Sequence, residues 1–152
     1  MVFLYGDRHG YRPRPVNLGL GRVCCTKIGV GSEGMNILYV ENYEQFAAVA
    51  VKTCLTEHAV TVVPSLVAAR QALARGRFDL VLLDQDLDDG KGAELATELT
   101  ARPQRPFILA ASSHRAGNEA LLKAGADGVC SKQEFKGIAA AIANLSSTRR
   151  AV

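Results

Sequence analysis

The stretch that decides the fold is Asp79-Leu-Val-Leu-Leu-Asp84-Gln-Asp-Leu-Asp-Asp-Gly-Lys-Gly92. Asp79–Leu83 reads as a buried strand: after Asp79 its apolar run shows no polar alternation, the pattern of a strand covered on both faces. Acids follow it at once, so Asp84 stands where the strand ends. In an open α/β sheet that edge, beyond the carboxyl ends of the strands, is where ligands bind. Gly90 and Gly92 then punctuate a turn before a helical run.

Outward from this stretch the chain alternates between short apolar runs and segments of helical spacing. Upstream, Asn36–Val40 reads as a strand, Tyr43–Thr56 as a helix and Ala59–Val63 as a β-branched strand ended by Pro64. Ser65 caps a helix that runs to Arg75 and stops at Gly76. Downstream, Gly92–Thr100 is helical. Phe107–Ala111 is a strand, Gly117–Ala124 a helix closed by Gly125, Gly128–Cys130 a very short strand and Phe135–Leu145 the last helix. Five strands alternating with five helices predict an α/β fold, a doubly wound five-stranded parallel sheet with right-handed crossovers.

The 152 residues suffice for one well-filled domain, and no apolar run reaches membrane-spanning length. Residues 1–34 carry seven glycines, two prolines and five basic side chains against two acids. They read as a poorly ordered basic leader, an upstream extension before Met35. Residues 35–148 form the domain and 149–152 a tail. Residues 35–152 balance 13 basic with 13 acidic side chains, which excludes a nucleic-acid footprint. Gly29-Val-Gly-Ser-Glu-Gly34 matches a phosphate-binding glycine pattern but precedes a strand, so it lacks the helix N-terminus that such a loop needs. Cys24, Cys25, Cys54 and Cys130 form no metal or disulfide framework, which fits a reduced, cytoplasmic protein. Cys54 and Cys130 read as small core residues, and His58 and His114 as surface residues.

The strand assignments bring distant polar residues to one edge: Glu41 and Asn42 after the first strand, and Asp84, Asp86, Asp88 and Asp89 after the third. Ser112, Ser113 and His114 follow the fourth, and Ser131 and Lys132 the fifth. Acids, hydroxyls and a lysine at one place suit phosphoryl transfer to a carboxylate. Mg²⁺ takes one or two carboxylates with a carbonyl and waters, and a lysine and a hydroxyl hold the remaining phosphoryl oxygens. Glu41 and Asn42 serve equally to start the following helix. Asp86, Asp88 and Asp89 are too many for one metal, and at least two read as turn residues.

The segments ILYVEN (37–42), DLVLLDQDLDDGKG (79–92) and KAGADGVCSK (123–132), in this order, give residues 36–145 a plain resemblance to the receiver domain of two-component response regulators. The resemblance implies a flavodoxin-like fold like that of single-domain chemotaxis regulators. It implies a phosphoacceptor at Asp84, a phosphate-facing Lys132 and a Mg²⁺ site from Glu41, Asn42, Asp84 and the carbonyl of Asp86. It also implies a histidine kinase or histidine phosphotransfer protein as donor and a downstream protein as target. There is no turnover of a separate substrate beyond taking the phosphoryl group and slowly losing it. Neither membrane nor nucleic acid is expected as a direct partner, and the expected state is a monomer or weak homodimer.

The departures from the family pattern are local. Asn42 stands where the family has a second acid, which predicts weaker Mg²⁺ affinity. Counting from Pro106 puts the switch hydroxyl on Ala111, which has none, and leaves Ser112 as the next candidate. Val129 takes the place of a switch aromatic, and Gln133 that of a proline. These features leave a second reading open, a phosphorylation-independent pseudo-receiver acting as an interaction module. A third, a phosphatase using Asp84-Gln-Asp86, requires its motif on the first strand, whereas two strand–helix units precede it here. Ile138–Ile142 reads either as a partner face or as the core side of the last helix.

Overall fold

The computed structural model of the chain describes residues 2–4, 14–15 and 34–150. Five parallel strands form the body of the sheet: β1 (Asn36–Val40), β2 (Ala59–Val63), β3 (Leu80–Leu83), β4 (Phe107–Ala110) and β5 (Gly128–Val129). Their order across the sheet is β2-β1-β3-β4-β5, all pairs parallel. This is the doubly wound arrangement expected from the alternation. Beyond β2 the leader adds Val2–Leu4, parallel to β2, and Arg14–Pro15, antiparallel to Val2–Leu4. Cys24, Cys25 and residues 29–33 of the glycine pattern lie outside the described residues.

The helices are α1 (Glu44–Cys54), α2 (Leu66–Arg75), α3 (Gly92–Thr100), α4 (Arg115–Lys123) and α5 (Ile138–Arg150). Ser65 caps α2 as its type predicts, with its hydroxyl accepting from the Ala68 N–H at 3.1 Å. Asp89 completes that cap: its two carboxylate oxygens accept from the Leu66 and Val67 N–H groups, each at 2.9 Å. An anion at the positive end of the helix is the favourable placement. Gly125, at φ +106°, closes α4 in a conformation that suits glycine.

Several element ends differ from the sequence reading, by one or two residues at α1, β3, β4, α4 and β5 and by more around α5. The segment Lys132–Gly137 is a tight 3₁₀ turn, broken at Glu134, before the α-helix proper begins at Ile138. At the other end α5 runs through Arg150, past the boundary set at 148. The hydroxyls of Ser147 and Thr148 bond back to the carbonyls of Ala143 and Asn144, so these polar residues continue the helix instead of ending it.

Two apolar layers enclose the sheet. One gathers Ile37, Tyr39, Leu82, Leu109, Ala111 and Cys130 with α1, Phe135 and α5. The other gathers Leu38, Val40, Leu83, Ile108 and Ala110 with α2, α3 and α4. Side chains alternate between faces along a strand, and the parallel register aligns Val40, Leu83, Ala110 and Val129. One step further along, Glu41, Asp84, Ala111 and Cys130 therefore form a row on the α1/α5 face, at the carboxyl edge of the sheet. Ile142 and Ile138 lie in this core, so the apolar side of α5 is spent on the sheet.

Candidate functional site

The row holds two buried acids: Glu41 is 1% exposed and Asp84 is 5% exposed. Backbone pairing fixes both, the Glu41 N–H with the Val63 carbonyl and the Asp84 N–H with the Val40 carbonyl. Lys132 reaches in from beyond β5 and meets both carboxylates, Asp84 Oδ2 at 2.8 Å and Glu41 Oε2 at 2.6 Å. Its ammonium also lies 5.5 Å from the centre of the Phe46 ring. Phe46 packs edge-on against Phe135, which stacks on Tyr39. Three aromatic rings thus wall the cluster on its α1/α5 side.

The remaining acid oxygens are bound by main-chain donors. Asp84 Oδ1 accepts from the Gln85 N–H at 2.8 Å, and Glu41 Oε1 from the Tyr43 N–H at 2.9 Å. Gly92 lets α3 start directly beside this edge, because a Cβ there would fall 2.1 Å from the Asp84 carbonyl oxygen. Burial pushes the Glu41 carboxyl above the ordinary carboxylate range, although Lys132 and the Tyr43 N–H pull the other way. For Lys132 burial opposes the charge, but the Asp84 and Glu41 carboxylates outweigh it and hold the amine above its usual value.

The other residues of the edge are placed less centrally. Asn42 turns its amide outward, with Nδ2 donating to Asp88 Oδ1 at 3.1 Å. The exposed Asp86 carboxylate pairs with Lys91 at 2.5 Å. Asp86, Asp88 and Asp89 are all exposed, and each has a surface partner: Lys91, the Asn42 amide and the start of α2. Ser112 is buried but is not brought to Asp84. Its hydroxyl accepts from the His114 N–H at 3.3 Å, and it packs so closely on α4 that a Cβ on Gly117 would lie 2.4 Å away. The reason is the strand period: Ala111 occupies the Asp84 row, and Ser112 points to the opposite face. Val129 is 39% exposed. His58 accepts from the Met35 N–H at 3.2 Å, and His114 precedes α4 with its ring beside the Ser113 hydroxyl. Cys130 is buried, as expected, and Cys54 only half-buried.

The donor set suits a hard cation. Glu41 and Asp84 offer oxygens close enough for one ammonium to touch both. Glu41 Oε2 meets Lys132 as an ion pair but closes no aligned hydrogen bond, and the buried Tyr39 hydroxyl is likewise left without one. Such under-satisfied buried oxygens, two carboxylates and no soft ligands fit Mg²⁺ with its retained waters. Among the described residues no group of three or more His, Cys, Asp or Glu forms a metal site.

Tyr39, Phe46 and Asn118 were missed in the sequence. Tyr39 was legible, being two residues before Glu41 and therefore on the same strand face. Asn118 was legible too: it stands three residues before buried Leu121, on the core side of α4.

Residues 37–143 match the family model of the response regulator receiver domain. The fold is shared with a CheY-like receiver domain protein from Methanospirillum hungatei, at 19% identity and a TM-score of 0.68, covering 77% of this chain and 97% of that one. It is shared also with the signal receiver domain of a signal transduction histidine kinase from Syntrophus aciditrophicus, at 21% identity and a TM-score of 0.67, covering 76% and 92% of the two chains. The Mn²⁺-bound form of response regulator Rcp1 is similar at 21% identity and a TM-score of 0.58, covering 68% and 91%. The curated proteins contain no match.

Proposed function

Since the chain belongs to the response regulator receiver family of two-component signalling, we propose that it takes a phosphoryl group on Asp84 and thereby changes its binding to a partner protein. The observation that carries this reading is the buried Asp84 carboxylate at the end of β3, sharing Lys132 with Glu41. Among the described residues no helix is long and apolar enough to cross a membrane, and the reading places the protein in the cytoplasm.

In the transfer an Asp84 carboxylate oxygen attacks phosphorus. The new P–O bond forms as the bond to the donor breaks, and the donor group leaves with its electron pair. Lys132 lies on the attacked side and holds a developing negative oxygen, while the Gln85 N–H fixes the other carboxylate oxygen. Glu41, Asn42, Asp84 and the Asp86 carbonyl are the groups to hold Mg²⁺, which when bound neutralises phosphoryl charge. A histidine kinase or histidine phosphotransfer protein is the donor, and no separate substrate is turned over. Asn42 supplies an amide in place of a charge and already donates to Asp88. Mg²⁺ affinity is therefore expected to be weak, and Asn42→Asp to strengthen it in a direct binding titration. Ordinary receiver affinity in the wild type removes this point.

Intact mass after incubation with Mg²⁺ and acetyl phosphate tests the whole reading. The wild type gains one phosphoryl mass and Asp84→Asn gains none. If neither gains it at high Mg²⁺, the domain acts as a phosphorylation-independent interaction module.

A further inference from the structure

Ser112 has its backbone held by a side chain. Asn118, 7% exposed on α4, accepts the Ser112 N–H on Oδ1 at 2.9 Å and donates from Nδ2 to the Ser112 carbonyl at 3.1 Å. The same carbonyl accepts the Lys132 N–H at 3.4 Å. One peptide thus joins the residue that touches Asp84 to the first turns of α4, and Ser112 itself follows directly on Ala111 in the Asp84 row. Close packing of Gly117 on the Ser112 hydroxyl, and the His114 N–H donating to it, tighten the same joint.

We propose that Asn118 is a positioning residue that couples the Asp84 site to helix α4 through the Ser112 peptide. Ala111 brings no hydroxyl to Asp84, and Val129 is an exposed aliphatic residue, so neither side chain relays a change there. The Ser112 peptide does. When Lys132 follows new phosphoryl oxygens, its N–H pulls or releases the Ser112 carbonyl through the longest bond of the joint. Leaving two buried polar groups unpaired is costly, so Ser112 and Asn118 move together and α4 moves with them. This coupling rests on the phosphoacceptor reading of Asp84.

The test is the amide spectrum of the full chain by NMR, with and without beryllium fluoride and Mg²⁺ as a stand-in for the phosphoryl group. The wild type should shift around Asp84 and Lys132 and along Arg115–Lys123. Asn118→Leu should keep the shifts around Asp84 and Lys132 and lose those along α4. Asn118→Asp keeps the acceptor for the Ser112 N–H and replaces the donor to the Ser112 carbonyl with a carboxylate oxygen, so it should weaken the α4 response, and it stands in if the leucine variant fails to fold. An α4 response of wild-type size in both variants overturns the coupling, as does a wild type whose shifts stop at Ser112. Silence around Asp84 itself is a different result and brings down the phosphoacceptor reading together with the coupling.

Discussion

The two ends of the sheet treat their acids in opposite ways. At the amino end Asp127 is gripped by Arg105 through two bonds of 2.7 and 2.8 Å and also accepts the Ile108 N–H at 2.8 Å. At the same end Asp79 accepts the Asn36 N–H at 2.9 Å and ties β3 to β1. At the carboxyl end Glu41 and Asp84 share one lysine. The titration follows the pairing. Burial works against the Asp127 charge, but Arg105 and the Ile108 N–H prevail and hold its carboxyl below the usual value, whereas burial holds Glu41 above it. One end is built to be satisfied and stay put. The other sets two buried carboxylates against a single ammonium.

The largest test of that contrast is Lys132→Met. It leaves two buried carboxylates facing each other with no cation, and unpaired buried charge costs about 3 kcal/mol. Denaturant unfolding at neutral pH in chelator should show that loss, and added Mg²⁺ should recover part of it. Unchanged stability in chelator means that the acids are not mutually strained and the contrast between the ends fails.

The comparison also explains what could be read in the sequence. β1, β2 and β3 fall where apolar, β-branched runs place them, because burial on both faces leaves no other assignment. Asp84, Glu41 and Lys132 were legible for the same reason: each follows a strand, and the topology alone brings their backbones together. The partners of a side chain depend on one-residue phase, which composition does not fix. Ser112 and Ala111 differ by one position along β4 and therefore by an entire face of the sheet. Asp89 reads as a turn residue until α2 is seen to begin beside it.

A middle-sized effect is expected at the amino end. Asp127→Asn keeps the shape, weakens the fork to Arg105 and should cost about 1.5–3 kcal/mol, the range for hydrogen bonds to a charged group. The pH dependence has a definite sign. A carboxyl whose folded pKa lies below its unfolded value stabilises the fold above that unfolded value, and the contribution is lost as pH falls through the folded pKa. Unfolding measured from pH 5 downward should therefore show the wild type and the variant converging in acid. Parallel curves break the assignment.

Glu41 has the reverse sign. Its folded pKa is raised, so its penalty is absent below the ordinary glutamate value and grows as pH rises from there to the folded value. Glu41→Gln should remove that downward slope in a stability–pH series, and a slope retained in the variant assigns it to another group.

The smallest effect sharpens the comparison most. The Tyr39 hydroxyl is fully buried against Glu41, closes no aligned hydrogen bond, and its pKa is pushed up first by burial and then by the Glu41 and Asp84 charges. Tyr39→Phe keeps the ring stacked on Phe135 and removes only that oxygen. Burying an unpaired hydroxyl is a cost, so the variant should match the wild type or exceed it by up to about 1 kcal/mol. Thermal unfolding reads the difference in chelator and again with Mg²⁺. A gain in chelator that shrinks with Mg²⁺ means that the hydroxyl is satisfied when the cation and its waters arrive. A loss in both means that the phenol already supports Glu41, and the carboxyl end is then better satisfied than its hydrogen bonds indicate.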